Sequence, residues 1–241
     1  MSDLNIALIA EGKTDFIVLE AALKAIIDRP FVLNLLQPET SDAFGGAGAH
    51  GGGWGGVYRW CRQLVSMGCA VAANPSLAGY DLVLVHVDAD VAGMRYEEAG
   101  INDGHTDLPC ELPCPPPEAS VNALRDVVAG WLNLTNQGML PERWAFCNPS
   151  KCTEAWVAAA LYGSSEPLFM TGIECNPEME NWLSQRPIRE GRIIRSNKKQ
   201  TSVYRSIAQK IADDWLDVCA HCSQAGRFGD EVMAALNYGQ V

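Results

Sequence analysis

Short apolar runs punctuate the first two thirds of the chain, and most are followed by a segment with helical spacing. Residues 4–10 (LNIALIA) are continuously apolar, as a strand buried on both faces of a parallel sheet requires. Thr14 can then cap a helix over residues 15–28, whose apolar positions recur at helical spacing and which Arg29-Pro30 ends. The same reading predicts a strand at 31–36 (FVLNLL), a helix at about 57–67 and a strand at 81–87 (DLVLVHV). A helix at 118–133, a short strand at about 143–147 and a helix from Thr153-Glu154 through Leu161 follow. Residues 45–56 (GGAGAHGGGWGG) read as a flexible glycine-rich loop, and 93–117, with five prolines, as a long loop.

Strands alternating with helices imply an α/β fold with a mainly parallel sheet flanked by helices. After about residue 165 the pattern changes to irregular segments and two helices, roughly 201–220 and 224–237. The expected organisation is a core over 1–165 and a mostly helical C-terminal extension, 166–241, packed on it. No internal repeat is visible.

Composition narrows the picture. The 241 residues are 48% hydrophobic and 20% charged, as in a soluble globular protein, with no run of eighteen apolar residues and no secretory leader pattern. A cytoplasmic protein without membrane association is expected. An odd count of nine cysteines then argues for reduced thiols. The spacings Cys110-x3-Cys114 and Cys219-x2-Cys222, with His105 and His221 nearby, keep structural zinc as the alternative. A net charge of −11 argues against a protein that holds nucleic acid alone through a broad basic surface.

The first strand runs into Glu11-Gly12-Lys13-Thr14-Asp15, whose Gly-Lys-Thr resembles the end of a P-loop. That loop needs a glycine five positions before Gly12, and Ala7 stands there inside the strand, so a phosphate-wrapping nest is excluded. Two carboxylates remain: Glu11 directly off a buried strand and Asp15 on the first turn of a helix. Asp88 and Asp90 come off another buried strand, two residues apart and so on one side of an extended backbone. In open α/β sheets the C-terminal strand ends form the functional crevice, and adjacent strands would bring Glu11, Asp88 and Asp90 to one rim. Clustered carboxylates repel, and hard divalent cations relieve that repulsion; Mg2+ or Mn2+ placed for phosphodiester chemistry is the expected site. Taken singly, Asp-x-Asp after a strand is common, and Asp15 can simply favour a helix dipole.

A strand followed by Glu-Gly-x-x-Asp, and a later strand followed by Asp-x-Asp, resembles the Toprim domain of topoisomerases, bacterial primases, recombination proteins and OLD-type nucleases. Glu11-Gly12-Lys13-Thr14-Asp15 and Asp88-Ala89-Asp90 carry the resemblance, which covers roughly residues 1–162. It implies a Toprim-like Rossmannoid core, a glutamate in general acid/base work (Glu11) and metal held by Asp88 and Asp90. Asp15 would complete a second-metal arrangement, as in OLD-type nucleases. Ser150-Lys151-Cys152-Thr153-Glu154-Ala155-Trp156 is similar to a later Ser/Lys/Glu element of small Toprim-like proteins in bacterial defence operons. Glu154 is then either a further metal ligand or an ordinary helix-start glutamate.

The chain is too short for a topoisomerase or primase. The resemblance therefore implies a metal-dependent nuclease subunit of antiphage defence, acting on DNA or RNA beside an ABC- or SMC-like ATPase that supplies the nucleic-acid surface. The rival is a catalytically inert accessory subunit of such an ATPase. Haloacid-dehalogenase-type hydrolases also carry Asp-x-Asp, but on the first strand and with Thr or Val where Ala92 stands. Self-association is left open.

Arg189, Arg192, Arg195, Lys198 and Lys199 crowd one segment of an acidic chain. They either hold the scissile phosphate, with Lys198 or Lys199 stabilising transition-state charge, or form a solvated loop. The glycine stretch around His50 either wraps a substrate, with Tyr58 and Trp60 stacking on bases, or is a mobile surface loop. His86, inside a buried strand, is expected to be structural.

Overall fold

The computed structural model describes residues 3–39, 48–102, 107–134, 140–163, 165–166, 171–186, 193–195 and 198–237. Its centre is a four-stranded parallel sheet of β1 (Leu4–Ile9), β2 (Phe31–Gln37), β3 (Leu82–His86) and β4 (Trp144–Cys147), in the order β2-β1-β3-β4. Eight helices flank it among the described residues: α1 (Lys13–Ile26), α2 (Gly53–Ser66), α3 (Glu118–Trp131), α4 (Glu154–Tyr162), α5 (Met179–Gln185), α6 (Thr201–Asp213), α7 (Trp215–His221) and α8 (Ser223–Asn237). The α/β class, the parallel sheet and the helical C-terminal part match the reading of the sequence. No helix among the described residues is long and apolar enough to cross a membrane.

Strand alternation divides the apolar runs between two cores. Ile6, Leu8, Leu82, Leu84, Ala145 and Cys147 face one side, beneath α1, α4 and the C-terminal helices. Ala7, Ile9, Val83, Val85, Trp144 and Phe146 face the other, beneath α2 and α3. The connection from β1 runs to β2 on one side, and that from β3 runs to β4 on the other. Reversal of direction with right-handed crossovers puts α1 and α3 on opposite faces. The gap between the C-terminal ends of β1 and β3 is therefore the topological switch point, where ligands bind in folds of this kind.

The C-terminal third completes the first face. α4 (EAWVAAALY) is buried all round, a pattern that needs cover from outside the sheet. Trp156 receives it from Trp215 at 5.4 Å between ring centroids and from Phe228 at 6.0 Å. The helix predicted over 201–220 is two, α6 and α7, broken at Asp214 so that Trp215 can turn into this core. No Gly or Pro marks the break. Helix α5 and a two-stranded antiparallel ribbon, β5 (Ile194–Arg195) with β6 (Lys198–Lys199), are further elements that the apolar pattern did not predict.

Two expectations are corrected. Part of the glycine-rich stretch is the start of α2: a Cβ on Gly55 would sit 2.7 Å from the Ala99 Cβ, and one on Gly56 would strike Gln37 Nε2 and the Gly51 carbonyl. These glycines permit close packing rather than flexibility. Residues 45–47 of that stretch lie outside the described residues. The cysteines are not all free thiols, because Cys114 and Cys175, 61 residues apart, form a disulfide with Cα atoms 5.4 Å apart. Cys219 and Cys222 are free, Cys222 buried in the core, and His105 lies outside the described residues.

Candidate metal centre

Each strand end at the switch point delivers one part of the site. β1 ends at Ile9, and Ala10 hands the chain to Glu11, whose Oε1 accepts the backbone N–H of Asp88 at 2.8 Å. This bond ties the ends of β1 and β3 together. Gly12 then makes the turn into α1; a Cβ there would crowd Asp15 Oδ2 at 3.3 Å. Asp15, in the first turn of α1, is 4% exposed, and its Oδ1 accepts a 3.0 Å hydrogen bond from Thr153 Oγ1 beyond β4. Asp88 is 7% exposed and His86 is fully buried.

Ligand atoms of Asp15, His86 and Asp88 lie within 4.8 Å of one another, so this buried Asp-His-Asp group can hold a metal ion. Its unmet polar atoms point the same way. Asp88 Oδ1 and both ring nitrogens of His86 have no hydrogen-bond partner among the described residues. His86 Nε2 and Asp88 Oδ1 approach to 3.2 Å without the alignment of a hydrogen bond. Buried polar atoms left unsatisfied are costly, and a cation between them would satisfy both the carboxylate and the imidazole.

The electrostatics agree. Burial, then the charge of Asp88, pushes the Glu11 carboxyl well above the usual range, with Asp15 and Asp90 adding to it. Burial also raises Asp88, with Asp15, Asp90 and Glu154 repelling its charged form. Asp90 stands exposed at the rim, yet burial of its carboxyl pushes it up to about 6, against the pull of Lys199. Without a cation the cluster therefore binds protons that free carboxylates would release.

Other residues singled out in the sequence take distinct places. Glu154 is 0% exposed and lies outside the Asp-His-Asp group. Its Oε1 accepts from Tyr204 Oη at 2.6 Å and pairs with Lys199 Nζ at 2.9 Å, while its Oε2 has no hydrogen-bond partner among the described residues. Lys199 also reaches Glu180 at 2.8 Å. Burial works against the charged lysine, but the Glu154, Asp15 and Asp88 carboxylates outweigh it and hold Lys199 well above its ordinary value. Lys198, its neighbour on β6, is exposed, as strand alternation requires. Arg195 is also exposed, whereas Arg189 and Arg192 lie outside the described residues. Tyr58 is buried against Tyr96 and Trp131, which removes it from any base-stacking role.

Sequence reasoning missed His86 as a candidate ligand, although it stands two residues before Asp88 and so on the same side of the strand. It also missed Thr153, Tyr204 and Glu180, whose roles depend on packing between distant segments. No family model, curated protein or solved structure matches this chain.

Proposed function

We propose that this protein is a metal-dependent phosphodiesterase of the Toprim kind that cleaves nucleic acid. The observation that carries the reading is the buried Asp15–His86–Asp88 group at the topological switch point, with unpartnered ligand atoms and Glu11 bonded to the Asp88 backbone. Two carboxylates and an imidazole would hold the cation. Oxygen donors suit Mg2+ and Mn2+ alike, but the imidazole favours Mn2+ of the two. When bound, such an ion polarises a phosphoryl oxygen and lowers the pKa of bound water.

The chain's own residues supply the rest. Glu11, its carboxyl pushed up by burial and the Asp88 charge and its Oε1 fixed on the Asp88 backbone, is placed to hold a proton that an ordinary carboxylate would release. Lys199, held in ion pairs with Glu154 and Glu180, would offer an N–H to a phosphate oxygen as charge develops. Tyr204, donating to the same Glu154 oxygen, keeps that carboxylate in place. Thr153 does the same for Asp15.

A specific observation also favours a partner. The chain carries a net charge of −11, and several of its cations are tied up in ion pairs. An ATPase of the ABC or SMC-like kind would add nucleic-acid surface, and a defence role fits that arrangement. The test is cleavage of plasmid, single-stranded DNA and RNA in Mn2+ and Mg2+, with and without the protein encoded next door. Metal-dependent cleavage that Glu11→Gln and Asp88→Asn both abolish supports the enzyme. Absence of cleavage in every combination, with Mn2+ binding intact, leaves the inert accessory subunit as the better reading.

A further inference from the structure

A cavity of about 630 Å³ opens between α1, the edge strand β2 and the start of α6. Phe16, Leu33 and Leu35, all half-buried, contribute apolar surface, and Lys13, Thr201 and Arg205 contribute polar groups. Lys13 and Arg205 are exposed, and neither makes an ion pair or side-chain hydrogen bond among the described residues. Lys24, Arg125, Lys151, Lys199 and Lys210, by contrast, all have carboxylate partners.

These cations stand on the two helices that also carry Asp15 and Tyr204. Lys13 lies between Glu11 and Asp15 in sequence, and Arg205 follows Tyr204, the residue that donates to Glu154. A second cavity, of about 470 Å³, adjoins the centre at Asp90 and Cys152, and there the charge has the opposite sign. Glu178 and Glu180 line it beside Asp90, with Lys151 already paired to Glu111 and Glu180 to Lys199. A polyanion approaching the centre is repelled on that side and attracted on the other.

We infer that the Lys13–Arg205 cavity binds the phosphodiester backbone of a single nucleic-acid strand next to the metal centre. The cations would take successive phosphates, and Phe16 offers a partly exposed ring against which a base or sugar can pack. This rests on the phosphodiesterase reading and adds the direction of approach: over α1 and α6, away from Glu178 and Glu180.

The test measures binding of a short fluorescein-labelled oligodeoxythymidine to the full chain by anisotropy, with Ca2+ as the only divalent cation. Lys13→Gln with Arg205→Gln is compared with Lys24→Gln plus Lys210→Gln, which makes the same charge change at the other ends of α1 and α6. Loss of two contacts at about 0.7 each lowers the salt slope of log K by about 1.4, which is a weakening of about 25-fold at about 0.1 M salt. The control pair should leave slope and affinity near wild type. Equal losses in both pairs, no loss in either, no binding by the wild type, or equal displacement by polyglutamate would each overturn the inference. If binding depends on Lys13 and Arg205 but no metal ever supports cleavage, the cavity stands and the nuclease reading fails. Cleavage with binding indifferent to these two residues gives the reverse.

Discussion

If Asp15, His86 and Asp88 form a metal centre, Asp88→Asn should leave the metal-free protein at least as stable while removing its response to metal. The magnitude follows from mass action and chain length. At about 1 mM Mn2+ and a Kd of about 10 µM, binding to the folded state alone adds about 2.7 kcal/mol. With about 2.1 cal/mol/K of unfolding entropy per residue, 241 residues carry about 0.5 kcal/mol/K, so Tm should rise by about 5 °C. In the variant, the atom replacing Oδ1 stands near His86 Nε2, from which Oδ1 is now 3.2 Å away with neither atom hydrogen-bonded. An amide nitrogen there can donate to the ring, and a carboxyl whose charged form burial, Asp15 and Asp90 all disfavour is removed. A gain of up to about 1 kcal/mol, or about 2 °C, is expected in EDTA. Differential scanning calorimetry of both proteins, with EDTA and with Mn2+, reads all four values. A wild-type Tm indifferent to Mn2+, or an Asp88→Asn protein that gains the same shift, would refute the assignment.

Other consequences follow from the same geometry. Groups whose pKa is raised on folding stabilise at low pH and lose that contribution as pH rises through the folded value. Asp90 does so between an unfolded value of about 4 and the folded value of about 6, and Glu11 and Asp88 extend the loss upward. In EDTA the urea midpoint should therefore be lower at about pH 7.5 than at about pH 5, and Mn2+ should reverse that order; a midpoint rising with pH in EDTA contradicts the repulsive cluster. Thiol titration in denaturant should count seven free cysteines before reduction and nine after, and nine in both states would remove the Cys114–Cys175 bond. Phe228→Ala should cost about 3–5 kcal/mol by urea denaturation in a single transition, because the ring is 1% exposed and stacked on Trp156. A cost below about 1 kcal/mol would mean that α8 is an appendage rather than part of the core.

How far the sequence could be read depended on whether the relevant physics is local. Strand alternation and strand ends are local, so β1 to β4 were placed within a residue or two. The positions of Glu11, Asp15 and Asp88 at strand and helix ends were legible for the same reason. The start of α2 was not, because Gly55 and Gly56 are demanded by Ala99 and Gln37, neighbours that no window around residue 55 contains. The break at Asp214 exists to seat Trp215 on Trp156, a contact made across 59 positions of chain, and the Cys114–Cys175 pairing spans a comparable distance. His86 shows the limit most clearly. Read alone, a histidine in an apolar strand is a core residue, and its burial agrees. What changes its meaning is that neither ring nitrogen finds a hydrogen-bond partner among the described residues while two carboxylates from different elements converge on it. Packing alone would leave that imidazole at a net cost, as it would leave Asp88 raised and unpaired. A fold tolerates such a cost where something absent from the polypeptide removes it, and the donor set at the end of β3 suits a divalent cation.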